Sequence, residues 1–308
     1  MDKFFVKIKS KIKFFIKLFF SKKIINFVLG IKNTYKMYLF KKKAIKYYNE
    51  IGFDNLDLEK QKVFSFLKNN NFNLFPYDFI KKYDDYNVDL FTDKNNGFKY
   101  SYFNNKKIYF KNSSSEKEMK RILTNLILVQ DEESPHKYLD NSFDVKEGDI
   151  VVDLGAAEGD FSLSVVDKAK KVYLFETDPQ LIDALKLTFE PWKEKVEIVN
   201  KYISNKIDNL NITIDKFFEN KELPTFIKVD IEGAEYDFIQ GARDILSKND
   251  NMKIVMATYH KYNDEVILRK ELEKFNFDTK YTKGYMLSIW DGVIKEPYFR
   301  RSLIRAIK

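Results

Sequence analysis

"VVDLGAAEGDFS", Val151 to Ser162, is the stretch on which the reading of the fold turns. An apolar run ends in Asp153, and Gly155, Ala156, Ala157, Glu158 and Gly159 follow. The chain has only 10 glycines in 308 residues, so two of them four apart, directly after a strand-like run, mark a backbone requirement. Gly155 suits the tight turn out of the strand. Ala156 and Ala157 are small enough to let a ligand approach the backbone. Gly159 lets the next helix begin close to the sheet.

Outward from this loop the pattern alternates. "DIVVDLG", "KVYLFET", "VEIVNKYIS", "FIKVDIEG" and "KIVMATYH" read as strands, and "GYMLSIWDG" as a late one. "PQLIDALKLTFEPW", "AEYDFIQGARDIL" and "DEVILRKELEKF" read as helices between or after them. Continuous apolar strands alternating with helices predict an α/β fold, a mostly parallel sheet covered by helices on both faces. Ligands of such sheets bind at the carboxyl ends of the strands. Before this domain, "LEKQKVFSFLKNN" reads as a helix, and "YNVDLFTD", "FKYSYF" and "KKIYFKN" as short strands. "SSSEKEMKRILTNLILVQDEE" reads as a helix capped by serine, with Glu116 and Glu118 near its positive end.

The strand ends carry the chemistry. Glu176 closes the second strand, 21 residues after Gly155, where an acid commonly accepts hydrogen bonds from ribose hydroxyls. The loop lacks the middle glycine of a dinucleotide fingerprint and sets Glu158 where a pyrophosphate would lie. A cofactor without phosphates, bearing ribose, adenine and a cationic sulfonium, fits better: S-adenosylmethionine. Asp230 ends the fourth strand, with Glu232 just beyond it and Lys228 on the same strand face. A lysine in so apolar a strand is expected to pair with an acid. Asp230 and Glu232 are expected to border the reaction pocket. The chain has two histidines, His136 in "SPHKYL" and His260 in "TYH". If the bound cofactor gives its methyl group to a hydroxyl, a base active near neutral pH assists, which is the range of imidazole. His260 is the expected base, His136 a substrate contact or alternate base, and Asp230 the third catalytic candidate. Glu232 and Tyr259 are assigned to the substrate. No metal is expected.

Composition sets limits. There are no cysteines, which excludes disulfides, cysteine-held zinc and thiol catalysis and makes an intracellular, cytoplasmic protein the simplest reading. Residues 1–46 hold fourteen lysines against one acid, Asp2, whereas the whole chain is +8. The body is therefore net acidic, which argues against nucleic acid as a partner. Phe4, Phe5, Ile8, Ile12, Phe15, Ile16 and Phe19 fall in one helical arc about 120° wide, and the lysines flank it. Such a basic amphipathic segment suits peripheral contact with an anionic membrane at the inner face of the cell, or a protein face. The longest uncharged apolar stretch nearby, "IINFVLGI", is far too short to span a bilayer. The divisions expected are a basic helical segment over 1–46, an α+β accessory region over 47–145, the α/β domain over 146–294 and a basic tail over 295–308.

"VVDLGAAEGDFSL", "VYLFETDP", "TIDKFF", "FIKVDIEGAE" and "ATYH", in this order, resemble the motifs of the FkbM-type methyltransferases, across about residues 130–290. The resemblance implies a Rossmann-like class I fold, S-adenosylmethionine as cofactor, and O-methylation of a sugar or other hydroxyl-bearing acceptor, here a glycan that could be lipid-linked. It places Asp153, Gly155 and Gly159 in the cofactor loop and Glu176 at the ribose. For the adenine side it offers Asn205 or Asp208. Two other readings stand beside it: an NAD(P)-dependent oxidoreductase, and an inactive membrane-surface adaptor that kept the fold.

Overall fold

The structure, a computed structural model, describes residues 22–308, with side chains from residue 33 onward. The apolar arc from Phe4 to Phe19 lies outside the described residues. The chain divides into two compact units. One runs to Asn73 and includes Ile294–Tyr298; the other comprises Leu74–Val293 and Phe299–Lys308. The region expected as one accessory piece over 47–145 is thus shared between the two.

The first unit is built on α1 (Lys22–Ile51) and α2 (Leu58–Asn69). Phe40, Ala44 and Tyr48 recur every four residues, so they share a stripe on α1, and all three are buried. Val63, Phe64 and Leu67 are the buried side of α2. The rings of Tyr48 and Phe64 lie 5.9 Å apart. Asp57 caps α2 by accepting from Lys60 N at 2.8 Å. Among the described residues no helix is long and apolar enough to cross a membrane.

The second unit begins with a meander of β1 (Phe91–Thr92), β2 (Lys99–Phe103) and β3 (Lys106–Tyr109). α3 (Glu116–Val129) follows, capped by Ser115 as expected. The α/β portion then runs β4 (Ile150–Leu154), α4 (Asp160–Val165), β5 (Lys171–Phe175), α5 (Pro179–Thr188), β6 (Val196–Val199), β7 (Tyr202–Ile203) and β8 (Asn211–Ile212). It continues through α6 (Ile214–Phe217), β9 (Phe226–Val229), α7 (Glu235–Gln240), α8 (Arg243–Lys248), β10 (Lys253–Ala257), α9 (Asp264–Glu273), β11 (Asp278–Tyr281) and β12 (Leu303–Ile307).

Seven strands form one sheet in the order β11-β12-β10-β9-β4-β5-β6, and only β12 runs against its neighbours. The expected α/β sheet with helices on both faces is therefore present, in a Rossmann-like arrangement. Alternation along β4 shows the two faces. Val151 packs into a core with Phe161, Leu163 and Leu185, whereas Ile150, Val152 and Leu154 join Phe238, Ile239, Leu268 and Leu272 on the other side. The chain winds outward from β4 through β5 to β6, and in the other direction from β9 to β10. The strand order reverses between β4 and β9, which opens a crevice at their carboxyl ends.

Two expectations fail at the C-terminal end. "GYMLSIWDG" is not a strand: Met286 makes one isolated bridge to Arg300, and Gly284 and Gly292 take positive φ of 88° and 77° on either side. Nor are residues 295–308 a free basic tail. β12 is hydrogen-bonded on both edges, to β10 and β11. Its basic residues concealed it, because Arg305 is ion-paired with Asp140 and Lys308 with Asp250, leaving Leu303, Ile304 and Ala306 for the core. Ile304→Ala should lower stability by about 2–5 kcal/mol, as for other core truncations. Chemical denaturation checks this, and an effect within about 0.5 kcal/mol would fit a surface tail instead.

Candidate active site

The loop after β4 is held from behind. Asp153 is fully buried; its Oδ2 accepts from Ser162 Oγ at 2.7 Å, and its Oδ1 lies 3.0 Å from Lys228 Nζ. Strand register creates this pair, since Asp153 of β4 stands opposite Lys228 of β9. Lys228 also donates to the carbonyls of Leu154 (3.3 Å) and Gly155 (2.6 Å). Burial works against its charge, but Asp153 and Asp230 outweigh it and hold its pKa above the ordinary value. The lysine expected to pair with an acid does so, and the acid is Asp153. Asp153 therefore shapes the loop from beneath.

The two glycines have separate duties. Gly155 has φ 75°, and a Cβ there would run into the carbonyl oxygen of Asp230. Gly159 has φ 83°, and its Cβ would sit 2.7 Å from Leu185 and 2.8 Å from Phe189, the helix and chain packed behind the loop. Ala157 is also left-handed, with φ 48°. Its N–H donates to Glu176 Oε2 at 3.0 Å, while Glu176 Oε1 accepts from the backbone of Thr177 and Asp178 at 2.6 and 2.8 Å. Glu176 thus fastens the loop to the end of β5. A carboxylate offers about four lone-pair sites, so three backbone bonds leave one for a ribose hydroxyl.

The loop is acidic. Burial pushes Glu158 up, and Glu176 and Asp178 add to the shift against Lys111. Burial pushes Asp160 up to about 7, with Lys228 opposing and Asp153 and Glu158 reinforcing. Bound positive charge relieves such crowding, which is the fit a sulfonium cofactor requires. Ala156 is buried beneath the loop. Asn205, expected at the adenine, is exposed and donates to Asp237 at 3.2 Å. Asp208 is engaged in its own turn, accepting from Leu210 and Asn211.

At the ends of β9 and β10, four rings converge on one carboxylate. Asp230 Oδ2 accepts from Tyr138 Oη at 2.8 Å and lies 3.4 Å from His136 Nε2. Asp230 Oδ1 accepts from Tyr259 Oη at 3.4 Å and lies 3.4 Å from His260 Nε2. Burial resists ionisation of Asp230, but His136, Lys228 and His260 outweigh it and hold its pKa well below the usual carboxylate range. Burial, then the Asp230 charge, pushes both tyrosines well above their ordinary value, so they remain donors. Both histidines are buried. Neither nitrogen of His136 has a hydrogen-bond partner. His260 Nδ1 faces Glu235 Oε1 at 2.9 Å. The structure thus brings Asp230, His136, His260 and Tyr259 together. Glu232 is exposed at the turn after β9 and stands outside that cluster.

The sequence reading missed Tyr138 and Glu235. Tyr138 lies two residues beyond His136, and Glu235 is the last acid of the "KVDIEGAE" stretch already singled out. Among the described residues, Asp230, Glu235 and His260 are close enough to hold a metal ion, their ligand atoms lying within 4.8 Å of one another. Glu235 Oε1 is already engaged by two backbone N–H groups and faces His260 Nδ1, so we read Glu235 and His260 as a hydrogen-bonded pair with Asp230 on the other side of the ring.

Residues 190–279 match the methyltransferase FkbM domain. The resemblance read from the motifs is borne out, and the family implies S-adenosylmethionine as the cofactor. The match takes in Lys228, Asp230, Glu235 and His260 and leaves the glycine loop outside it. Among solved structures, the chain is similar to an FkbM methyltransferase from Methylobacillus flagellatus KT at 15% identity and TM-score 0.45, covering 63% of this chain and 55% of that one. It is also similar to a precorrin-6y C5,15-methyltransferase from Geobacter metallireducens GS-15 at 13% identity and TM-score 0.38, covering 65% and 95%. The chain spans about half the length of the Methylobacillus protein. No curated protein matches it.

Glu176→Ala should weaken binding of S-adenosylhomocysteine, since it removes a charged acceptor worth about 1.5–3 kcal/mol and frees the Ala157 turn. Calorimetric titration measures this. Unchanged affinity would remove Glu176 from the ribose site.

Proposed function

We propose that this protein is an S-adenosylmethionine-dependent methyltransferase that methylates a hydroxyl oxygen of a sugar or glycan. The observation that carries the reading is the convergence of both histidines on Asp230 at the strand-order switch. S-adenosylmethionine supplies an electrophilic methyl group and leaves as a neutral thioether. Glu176 and the Gly155–Gly159 loop hold it; Tyr138 and Tyr259 orient Asp230; His136 or the exposed Glu232 contacts the acceptor. His260 Nε2 takes the proton that the hydroxyl loses as its oxygen bonds to the methyl carbon. The FkbM resemblance supports the sugar acceptor. The alternative of a nicotinamide enzyme is weaker, because the loop is acidic and lacks the glycine that admits a pyrophosphate.

Burial lowers the proton affinity of His260, but Glu235, Asp230 and Asp264 outweigh it, and its pKa lies above the ordinary value near 6.5. Two consequences of opposite sign follow. The imidazolium contributes stability that is fully present below the unfolded-state pKa and is lost as pH rises through the raised folded value. The base form, and with it the rate, grows over that same interval. The acid limb of kcat/KM should therefore lie on the alkaline side of an ordinary histidine. His260→Ala should abolish the limb and lower kcat by about 10²–10⁴-fold with cofactor affinity retained. If His136→Ala is the damaging change instead, the two histidines exchange roles. Mass spectrometry of glycans from cells with and without the gene tests the acceptor, and no difference of one methyl group would overturn it.

We further propose that residues 1–46 hold the enzyme on an anionic membrane surface at the cytoplasmic face, where a lipid-linked acceptor would be met. The flanking lysines and the apolar arc support this. Full-length protein should sediment with anionic vesicles, less so at high salt, and hardly at all with neutral ones. Sedimentation that survives deletion of residues 1–46 would refute it.

A further inference from the structure

Glu235 is among the most deeply buried acids in the protein, 1% exposed, at the first position of α7. The turn before it explains its placement. Glu232 and Gly233 both take positive φ, 55° and 101°, which folds the chain back after β9. The N–H groups of Ile231 and Gly233 then point at Glu235 Oε1, at 3.1 and 3.3 Å. The same oxygen faces His260 Nδ1 at 2.9 Å, while Oε2 has no hydrogen-bond partner. A carboxylate this deep requires a compensating cation or a proton. Among the described residues, the ring of His260 is the cation-forming side chain in hydrogen-bonding range of it.

Resting on the methyl-transfer reading, we propose that Glu235 is the positioning residue that fixes the tautomer and the proton affinity of His260. Glu235 accepts the Nδ1 proton, so the neutral ring carries its lone pair on Nε2, the nitrogen turned toward Asp230 and the pocket. A carboxylate that anchors one imidazole nitrogen fixes ring and tautomer together. The ring is held on its other sides by Tyr259, whose ring centre is 4.2 Å away, and by Trp290 at 5.8 Å. The charges around it are Asp230, Glu235 and Asp264 on the acidic side. On the basic side, Lys228 acts on Asp230 and Lys261 on Asp264. Burial, reinforced by Glu235, raises Asp264 to about 6, so at neutral pH it adds to the field that favours the imidazolium. Lys228 is committed to Asp153 and the loop carbonyls. Of these groups, only Glu235 is bonded to the ring nitrogen that faces away from the pocket.

The test uses the full chain without added histidines, in which two imidazoles give two sets of signals and His136→Ala assigns them. Nitrogen NMR of the neutral wild-type ring should show the proton on Nδ1 of His260. A proton on Nε2 would overturn the assignment without recourse to any variant. Glu235→Gln keeps an oxygen for the two backbone N–H groups and removes the charge. In that variant the His260 titration midpoint should fall by about one pH unit or more. The acid limb of kcat/KM should fall with it, while binding of S-adenosylhomocysteine is retained. A His260 midpoint and tautomer identical in wild type and variant would overturn the proposal. If the midpoint moves and the rate profile does not, Glu235 governs the ring as proposed and it is His260 as the reaction base that fails.

Discussion

The structure depends on one ammonium group. Lys228 sits in a sheet strand whose other positions are apolar; it donates to Leu154 O and Gly155 O and is ion-paired with Asp153 at 3.0 Å. Burying a charge of this kind is costly unless its partners are complete. Here the partners are one carboxylate and two carbonyls, and they all belong to the strand and loop that open the cofactor crevice. The pair therefore ties β9 to β4 at the point where strand order reverses. It fixes the start of the glycine loop, and Ser162 extends the tie into α4. A well-packed apolar pair could join two strands as firmly. It could not grip the loop carbonyls.

The same economy of contact governs the edge of the crevice. Gly155 comes so near the carbonyl of Asp230 that no side chain fits between them, so the loop and the turn after β9 are set against each other by backbone alone. Asp230 then stands between groups from two distant parts of the chain, accepting from both tyrosines and facing both imidazoles. His136 and Tyr138 come from the segment before the sheet, and Tyr259 and His260 from the end of β10. Arg300 and Ser288 steady that last strand end by donating to Tyr259 O at 3.0 and 2.9 Å. Two carboxylates, Asp230 and Glu235, flank the ring of His260, and their joint field overcomes burial in setting its charge.

Around the loop the balance is opposite in sign. Glu158, Asp160, Glu176 and Asp178 crowd a region where Lys111 opposes the shift of Glu158 and Lys228 that of Asp160. The site is thus divided into an acidic half suited to a cationic cofactor and a half that holds the two imidazoles. Both halves lie at the carboxyl ends of neighbouring strands, on either side of the switch between β4 and β9.

The sequence by itself determined the parallel strands, the loop and its two glycines, and the residues at the strand ends, because each rests on local periodicity or on short spacing. Glu176 could be placed at the ligand edge by counting along β5. What counting cannot supply is a partner across the sheet. Asp153 meets Lys228 only because β4 and β9 are neighbours in a particular register, and a strand order that skips from 4 to 9 is not written in any local pattern. Glu235 was hidden for a related reason: it turns inward only after two left-handed residues reverse the chain. β12 escaped notice because ion pairs with Asp140 and Asp250 neutralise the charges that make it look like a tail. Local pattern set which residues reach the crevice, and tertiary structure decided which of them touch, because long-range pairing and burial depend on strand order.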